Sequence, residues 1–214
     1  MENLNQSYFL SLQSYNSALD ELRAFAEANQ VPIVDQLSLD LIKQMIRIVQ
    51  PHQILELGTA IGYSSMHFAS VAPDIHITTI ERNPEMIVQA KQHFKTFGYT
   101  DRIRLIEADA TQAFSQVNDR IYDMIFIDAA KAQSQKFFEI YSPLLRDGGI
   151  IITDNVLYHG FVANIDIVRS RNVKQMVKKV QKFNQWLSEQ TDFKTNFVNI
   201  DDGLAISIKE RKYD

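Results

Sequence analysis

The chain has 214 residues, 22 Lys and Arg against 26 Asp and Glu, a formal net charge of -4 and no cysteine. That length accommodates one domain with a full core, and the missing cysteines exclude disulfides and thiolate zinc sites and point to an intracellular, cytoplasmic setting. The mild acidity gives no global sign of a nucleic-acid binder, although charge can be local. The opening MENLNQSYFLSL has no basic segment followed by an apolar core, so no secretory leader is evident, and no apolar run is long enough to span a bilayer.

Taken in chain order, Phe9, Leu12, Leu19, Leu22 and Phe25 stand at helical spacing and predict one helix over 7–29. Val31-Pro32-Ile33-Val34 is extended, as a proline demands of its neighbours. Leu37, Leu41, Met45, Ile46 and Val49 predict an amphipathic helix over 36–49 that stops before Pro51. Buried strands are expected at 54–57, 75–81, 103–106, 122–128 and 149–154, separated by helices over 63–71, 84–97, 110–117 and 131–145. This alternation means a parallel sheet covered by helices on both faces. The end of the chain changes rhythm. A helix over 172–190 carries Val173, Val177, Val180 and Leu187 on one stripe, and apolar strands at 193–200 and 204–209 are joined at Asp201-Asp202-Gly203. Asp-Gly between apolar runs is a hairpin signal. The expected architecture is therefore a single α/β domain over 1–214. Its seven-stranded sheet is mostly parallel with a terminal antiparallel hairpin, and the helices of residues 1–50 pack on the core.

The stretch ILELGTAIGYSS, Ile54–Ser65, organises the rest. A strand breaks at Gly58 and Gly62 and resumes as a helix near Tyr63, the order that opens an α/β nucleotide-binding unit. Glycines admit close backbone approach to a ligand, and the helix start offers free N–H groups. The spacing Gly-x-x-x-Gly is not the dinucleotide fingerprint, so two glycines alone are weak evidence. The later strand ends add the weight, because ligands of such sheets sit outside the carboxyl ends of the strands. Glu81 ends the second strand and reads as a ribose ligand more readily than as a solvated end. Asp109 follows the third and reads equally as a turn cap or an adenine contact. Ser64 suits a helix cap, a bond to a ligand carboxylate, or both. Asp128 ends the fourth strand and Asp154-Asn155 the fifth. Each has a structural alternative, a helix cap or an Asx turn, but together they form an all-oxygen set suited to a hard cation such as Mg²⁺. No histidine pair has zinc-ligand spacing. Lys131, three residues after Asp128, is either a solvated lysine or a general base whose pKa a nearby divalent cation would lower.

ELGTAIGYS, TIER, Asp109-Ala110, FIDAAK, TDNV and the terminal DGLAIS strand resemble the cation-dependent O-methyltransferases of the catechol and caffeoyl-CoA type over nearly the whole chain. VPI before the second helix, GTAIGYS, FIDAAK, DNVL followed by a glycine, and the basic segment after it resemble the bacterial tRNA 5-hydroxyuridine methyltransferases within that group. The resemblance implies a class I, Rossmann-like fold, S-adenosylmethionine in the strand-edge cleft, and a homodimer. It implies Glu56, Gly58 and Ser64 at the methionine end, Glu81 on the ribose and Asp109 and Ala110 on the adenine. Val34 would lie over the cofactor. Asp128, Asp154 and Asn155 would hold Mg²⁺ or Mn²⁺, with Asp128 also near the cofactor, and Lys131 would be the base. Catechol methyltransferases carry a tryptophan before that lysine; here Ala130 stands there, which removes any stacking from that position.

The chemistry matches. A hydroxyl loses its proton and attacks the methyl of a sulfonium, and a cation-bound hydroxyl ionises more easily. Substrates with two adjacent oxygens chelate, so catechols and 5-hydroxyuridine serve equally. Arg169, Arg171, Lys174, Lys178, Lys179 and Lys182 fall within fourteen residues with no acid between them. They read as a phosphate-contacting face, hence tRNA and its anticodon loop, or as an ordinary solvated helix face. The apolar loop Val156–Ile165 reads as a substrate wall on which a splayed base could stack against Tyr158 or Phe161, with His159 an ordinary loop residue. The expected activity is methylation of the 5-hydroxyl of 5-hydroxyuridine at the tRNA wobble position. The alternatives are an O-methyltransferase for small catechol-like phenols and a non-catalytic nucleotide or RNA-binding module.

Overall fold

Seven strands make one sheet in the computed structural model, which describes residues 4–15 and 17–211. They are β1 (Gln53–Leu57), β2 (His76–Glu81), β3 (Ile103–Glu107), β4 (Tyr122–Ile127), β5 (Leu145–Asp154), β6 (Phe193–Val198) and β7 (Leu204–Lys209). Their order is β3-β2-β1-β4-β5-β7-β6. The first five run parallel, and β7 pairs antiparallel with both β5 and β6. The helices are α1 (Leu4–Ser11), α2 (Ala18–Ala28), α3 (Gln36–Val49), α4 (Tyr63–Ala69), α5 (Pro84–Thr96), α6 (Phe114–Val117), α7 (Ser134–Tyr141) and α8 (Arg171–Ser188). Among the described residues no helix is long and apolar enough to cross a membrane.

The two-residue side-chain period of the strands splits the core in two. Ile54, Ile77, Met124, Phe126, Ile150 and Ile152 face α2, α3, α4 and α5. Leu55, Leu57, Ile80, Ile125, Ile127 and Ile151 face α7 and α8. Glu56, Thr79, Glu81 and Asp154 have the parity of the first set. The alternation therefore carries these polar side chains to the same side of the sheet.

Several elements differ from the sequence expectation. The single helix predicted over 7–29 is two, α1 and α2. The second starts at Ser17, whose hydroxyl accepts from the Asp20 amide at 3.3 Å while the Ser17 amide donates to Asp20 Oδ2 at 2.8 Å. This reciprocal cap outweighs continuous apolar spacing. The helix predicted over 110–117 shrinks to α6, because Asp109 Oδ1 accepts from the amide and hydroxyl of Thr111 at 2.8 and 2.7 Å and holds the chain in a turn. In the predicted 131–145 helix, a 3-10 turn at Lys131–Gln133 precedes α7 and another at Ser142–Leu144 follows it. Strand β5 begins at Leu145 rather than Gly149. A register shift opposite Tyr122 and Met124 absorbs the Asp147-Gly148 stretch, so a turn-like sequence stays within the sheet.

Candidate active site

The site is assembled at the carboxyl ends of β1 to β5. A cleft of about 450 Å³ opens there, a volume suited to a small organic ligand. Val34, Gly58, Ser64, Glu81, Asp109, Ala110, Asp128 and Lys131 all line it, as do Tyr63, Gln133 and Phe137. Gly58 has φ +99, and a Cβ there would stand 2.1 Å from the Asp128 carbonyl oxygen. Only glycine lets the end of β1 lie this close to the end of β4. The turn is closed by the Gly58 amide on Ile80 O and the Asp128 amide on Leu57 O, both 3.0 Å.

Glu56 is behind this turn and not on the cleft wall. It is fully buried, and its carboxyl accepts from the hydroxyls of Ser64, Ser65 and Thr79. Burial raises its pKa to about 7 against the opposing effect of those three donors. Glu56 thus fixes the first turn of α4 from below, and Ser64 is shared between that carboxyl and the cleft. Ser65 and Thr79 join this cluster from outside the roles the sequence assigns. Their signal is the strand parity that puts Thr79 beside Glu56, with β1 and β2 in register at that pair.

Glu81 turns its carboxylate back over the glycine turn. Oε2 accepts from the Ala60 amide at 3.0 Å, and Oε1 accepts from the amides of Arg82 and Asn83 at 2.9 and 2.8 Å. Asp109 acts as a turn cap through Thr111 and is paired by Arg82 at 2.8 Å. These partners, the Thr111 hydroxyl foremost, hold its carboxyl down at about 2. Its position on the cleft wall leaves the adenine contact open beside that observed role. Ala110 is anchored by the Tyr141 hydroxyl, which donates to its carbonyl at 2.6 Å. Val34 is held by Arg23, another residue absent from the motif reading. Its guanidinium donates at 2.8 Å to both Val34 O and Gln36 Oε1 and lies over the Tyr63 ring, joining α2, α3 and α4 around the cleft.

At the ends of the neighbouring strands, half-buried Asp128 and buried Asp154 form an acidic pair. Burial raises the pKa of each, and the negative charge of Asp128 raises Asp154 further, while Lys131 opposes both shifts. Asp154 Oδ1 accepts from the Asn155 amide at 2.6 Å. Lys131 does not begin a helix; it begins the 3-10 turn, and its ammonium donates to Asn155 Oδ1. The Lys131 nitrogen thus already sits on the amide oxygen of the set. Among the described residues no three His, Asp or Glu side chains converge into a metal cluster. Two carboxylates and an amide oxygen nevertheless suit a hard cation that keeps waters or substrate oxygens in its other positions.

The basic segment lies apart from the cleft. Arg169, Arg171, Lys178, Lys179 and Lys182 are exposed, and none of them, nor half-buried Lys174, forms an ion pair among the described residues. Arg171, Lys174, Lys178 and Lys182 recur at three- and four-residue steps opposite the buried stripe of Val177, Val180, Phe183 and Leu187. The inner side of α8 reaches the loop after Asn155: Asn184 donates to Val156 O and Gln181 to Val162 O, each at 2.8 Å.

A mostly parallel seven-stranded sheet with an antiparallel end, and a cleft at its strand ends behind a glycine turn, make the class I, Rossmann-like methyltransferase fold. The particular group follows from comparison: residues 11–210 match the O-methyltransferase family model, and the chain belongs to that family. A Staphylococcus aureus structure provisionally named caffeoyl-CoA O-methyltransferase is 63% identical, with a TM-score of 0.94, covering 97% of this chain and 100% of that one. Catechol O-methyltransferase of Niastella koreensis is 27% identical over 78% of this chain and 77% of its own length. In fold alone, the Streptomyces achromogenes O-methyltransferase TomG, solved with S-adenosylmethionine, superposes with a TM-score of 0.83 at 24% identity, over 99% and 100% of the two chains.

Proposed function

We propose that the chain methylates the 5-hydroxyl of 5-hydroxyuridine at the tRNA wobble position, using S-adenosylmethionine and Mg²⁺. The observation that carries the reading is the Lys131–Asn155 hydrogen bond beside the Asp128–Asp154 pair, at the edge of a nucleoside-sized cleft. Glu81 would take the ribose hydroxyls, Asp109 and Ala110 the adenine side, and Ser64, backed by Glu56, the methionine end. Val34 would cover the cofactor. Asp128, Asp154 and Asn155 would hold Mg²⁺, which when bound supplies a positive centre that favours the ionised form of an acceptor hydroxyl. Lys131, as the neutral amine, would take the hydroxyl proton as oxygen bonds to the methyl carbon and the methyl–sulfur bond breaks, leaving S-adenosylhomocysteine. These groups stand on strand ends and short turns, which favours a fixed alignment of oxygen, carbon and sulfur.

The preference for tRNA rests on the outward basic stripe of α8 and on the Tyr158–Phe161 loop tethered to the same helix. A second reading, small catechol-like phenols, is favoured by the names of the relatives. Mass spectrometry of tRNA nucleosides from cells with and without the gene decides between them. Loss of 5-methoxyuridine with accumulation of 5-hydroxyuridine is the expected result. Unchanged nucleosides alongside turnover of free catechols by the purified protein would replace the tRNA reading.

A further inference from the structure

The connection between β6 and β7 does more than turn the chain. The Asp201 carboxylate accepts from the Ser38 amide at 2.7 Å, capping α3 from 163 residues away, while Asp35 at the cap position itself makes no side-chain cap bond. The next two residues hold the loop that leaves the acidic site. The Val156 amide donates to Gly203 O at 3.1 Å and the Leu157 amide to Asp202 O at 2.9 Å. The His159 amide donates to the Asp202 carboxylate, whose other oxygen, Oδ2, is buried without a hydrogen-bond partner, 3.9 Å from the His159 ring. The Asp202 side chain is only 9% exposed.

The held segment is strained. Asn155, Tyr158 and His159 have φ of 61°, 47° and 57°, left-handed values unusual for residues with side chains and rarest for a bulky one such as Tyr158. Strain of this kind persists only where surrounding contacts fix it. Gly203 supplies part of that fixing, because a Cβ there would meet Leu157 at 2.5 Å. The segment also borders the reacting centre. Asn155 carries the Lys131 bond. His159 lies between Tyr158 and Phe161, with ring centroids 5.2 and 6.3 Å away.

We infer that Asp202 is a positioning residue for the methyl acceptor: it holds the strained 155–159 segment so that its aromatic rings wall the place where a flat ring presents its hydroxyl. The inference rests on the O-methylation reading of the site. One carboxylate oxygen fixes the His159 amide, and the other, buried, lies 3.9 Å from the imidazole. None of residues 155–159 lines the cleft that Val34, Gly58, Glu81 and Lys131 share.

Asp202→Ala and Asp202→Asn test it. Steady-state kinetics are measured with a small catechol and with a 5-hydroxyuridine-bearing anticodon stem-loop, beside S-adenosylmethionine affinity and hydrogen exchange at the Leu157 and His159 amides. Asp202→Ala is expected to raise acceptor KM about tenfold or more, leave cofactor affinity within about twofold, and accelerate exchange at both amides. Asn keeps an oxygen acceptor and should recover most of the KM. Unchanged KM for an acceptor that the parent turns over overturns the inference, as does equal loss of acceptor and cofactor binding. A parent inactive on both acceptors instead removes the proposed substrates. Exchange rates unaltered by alanine then overturn the clamp as well, and faster exchange upholds it.

Discussion

Single side chains carry the chemistry, and two of them make separable predictions. Lys131 begins a short 3-10 turn, and its side chain donates to Asn155 among the described residues. If it takes the acceptor proton, Lys131→Ala should slow the single-turnover methyl-transfer rate by roughly 10²–10⁴-fold, the usual size of a general-base contribution. Cofactor affinity should be unchanged, and part of the rate should return at higher pH as the acceptor hydroxyl ionises unaided. A near-normal rapid-quench rate would reduce Lys131 to a structural lysine. Glu56 is different, since its effect is on stability. The unfolded chain releases this proton near 4.5, whereas the folded chain keeps it to about pH 7. Between those values the folded state binds more protons. Its contribution is therefore complete below 4.5 and lost as pH rises through 7, a change of about 3 kcal/mol. Urea unfolding from pH 5 to 8 should show a shallower decline in Glu56→Gln than in the parent. Parallel curves would place the proton elsewhere.

At the scale of elements, α8 has two jobs on opposite faces. Val177, Val180, Phe183 and Leu187 seat it on the sheet, and Gln181 and Asn184 hold the loop after Asn155. The outer stripe of Arg171, Lys174, Lys178 and Lys182 has no internal partner among the ion pairs of the described residues. Phosphates on that stripe would release counterions, so tRNA affinity should fall steeply with salt. Replacing Arg169, Arg171 and Lys174 together by alanine should flatten the log–log salt slope by roughly 2. It should leave cofactor affinity and turnover of a free catechol as they were. Filter binding across a salt series reads this directly, and an unaltered slope would remove the argument for RNA on this helix.

For the whole molecule, the cleft joins β1, β2 and β4 to the segment before α3, so a ligand there links parts far apart in sequence. S-adenosylmethionine at about 100 times its Kd should stabilise the fold by about 2.7 kcal/mol, visible as a raised melting temperature. Asp154→Ala should retain that rise, because Asp154 is not part of the cleft lining, yet it should abolish turnover, as should EDTA on the parent. Full activity in excess chelator would remove the cation from the proposal, and loss of the thermal shift in Asp154→Ala would put that residue at the cofactor.

The order of strands and helices, the antiparallel end of the sheet and the family were legible in the chain itself. Two-residue and 3.6-residue periodicities follow from local backbone geometry, and GTAIGYS, FIDAAK and TDNV are contiguous. That Lys131 and Asp128 share one cleft was legible for the same reason, as close neighbours in one motif. Helix limits were less so. The Ser17–Asp20 cap and the Asp109–Thr111 turn are local hydrogen bonds that outweigh apolar spacing by a margin no periodicity contains. What only tertiary structure decided is which groups meet across long separations. Thr79 reaches Glu56 through strand register, Arg23 holds Val34, and Asp201-Asp202-Gly203, legible only as a hairpin, clamps both α3 and the loop beyond Asn155. Such contacts depend on how the sheet orders its strands and on burial that leaves each polar group few partners, and neither is a property of any short stretch of chain.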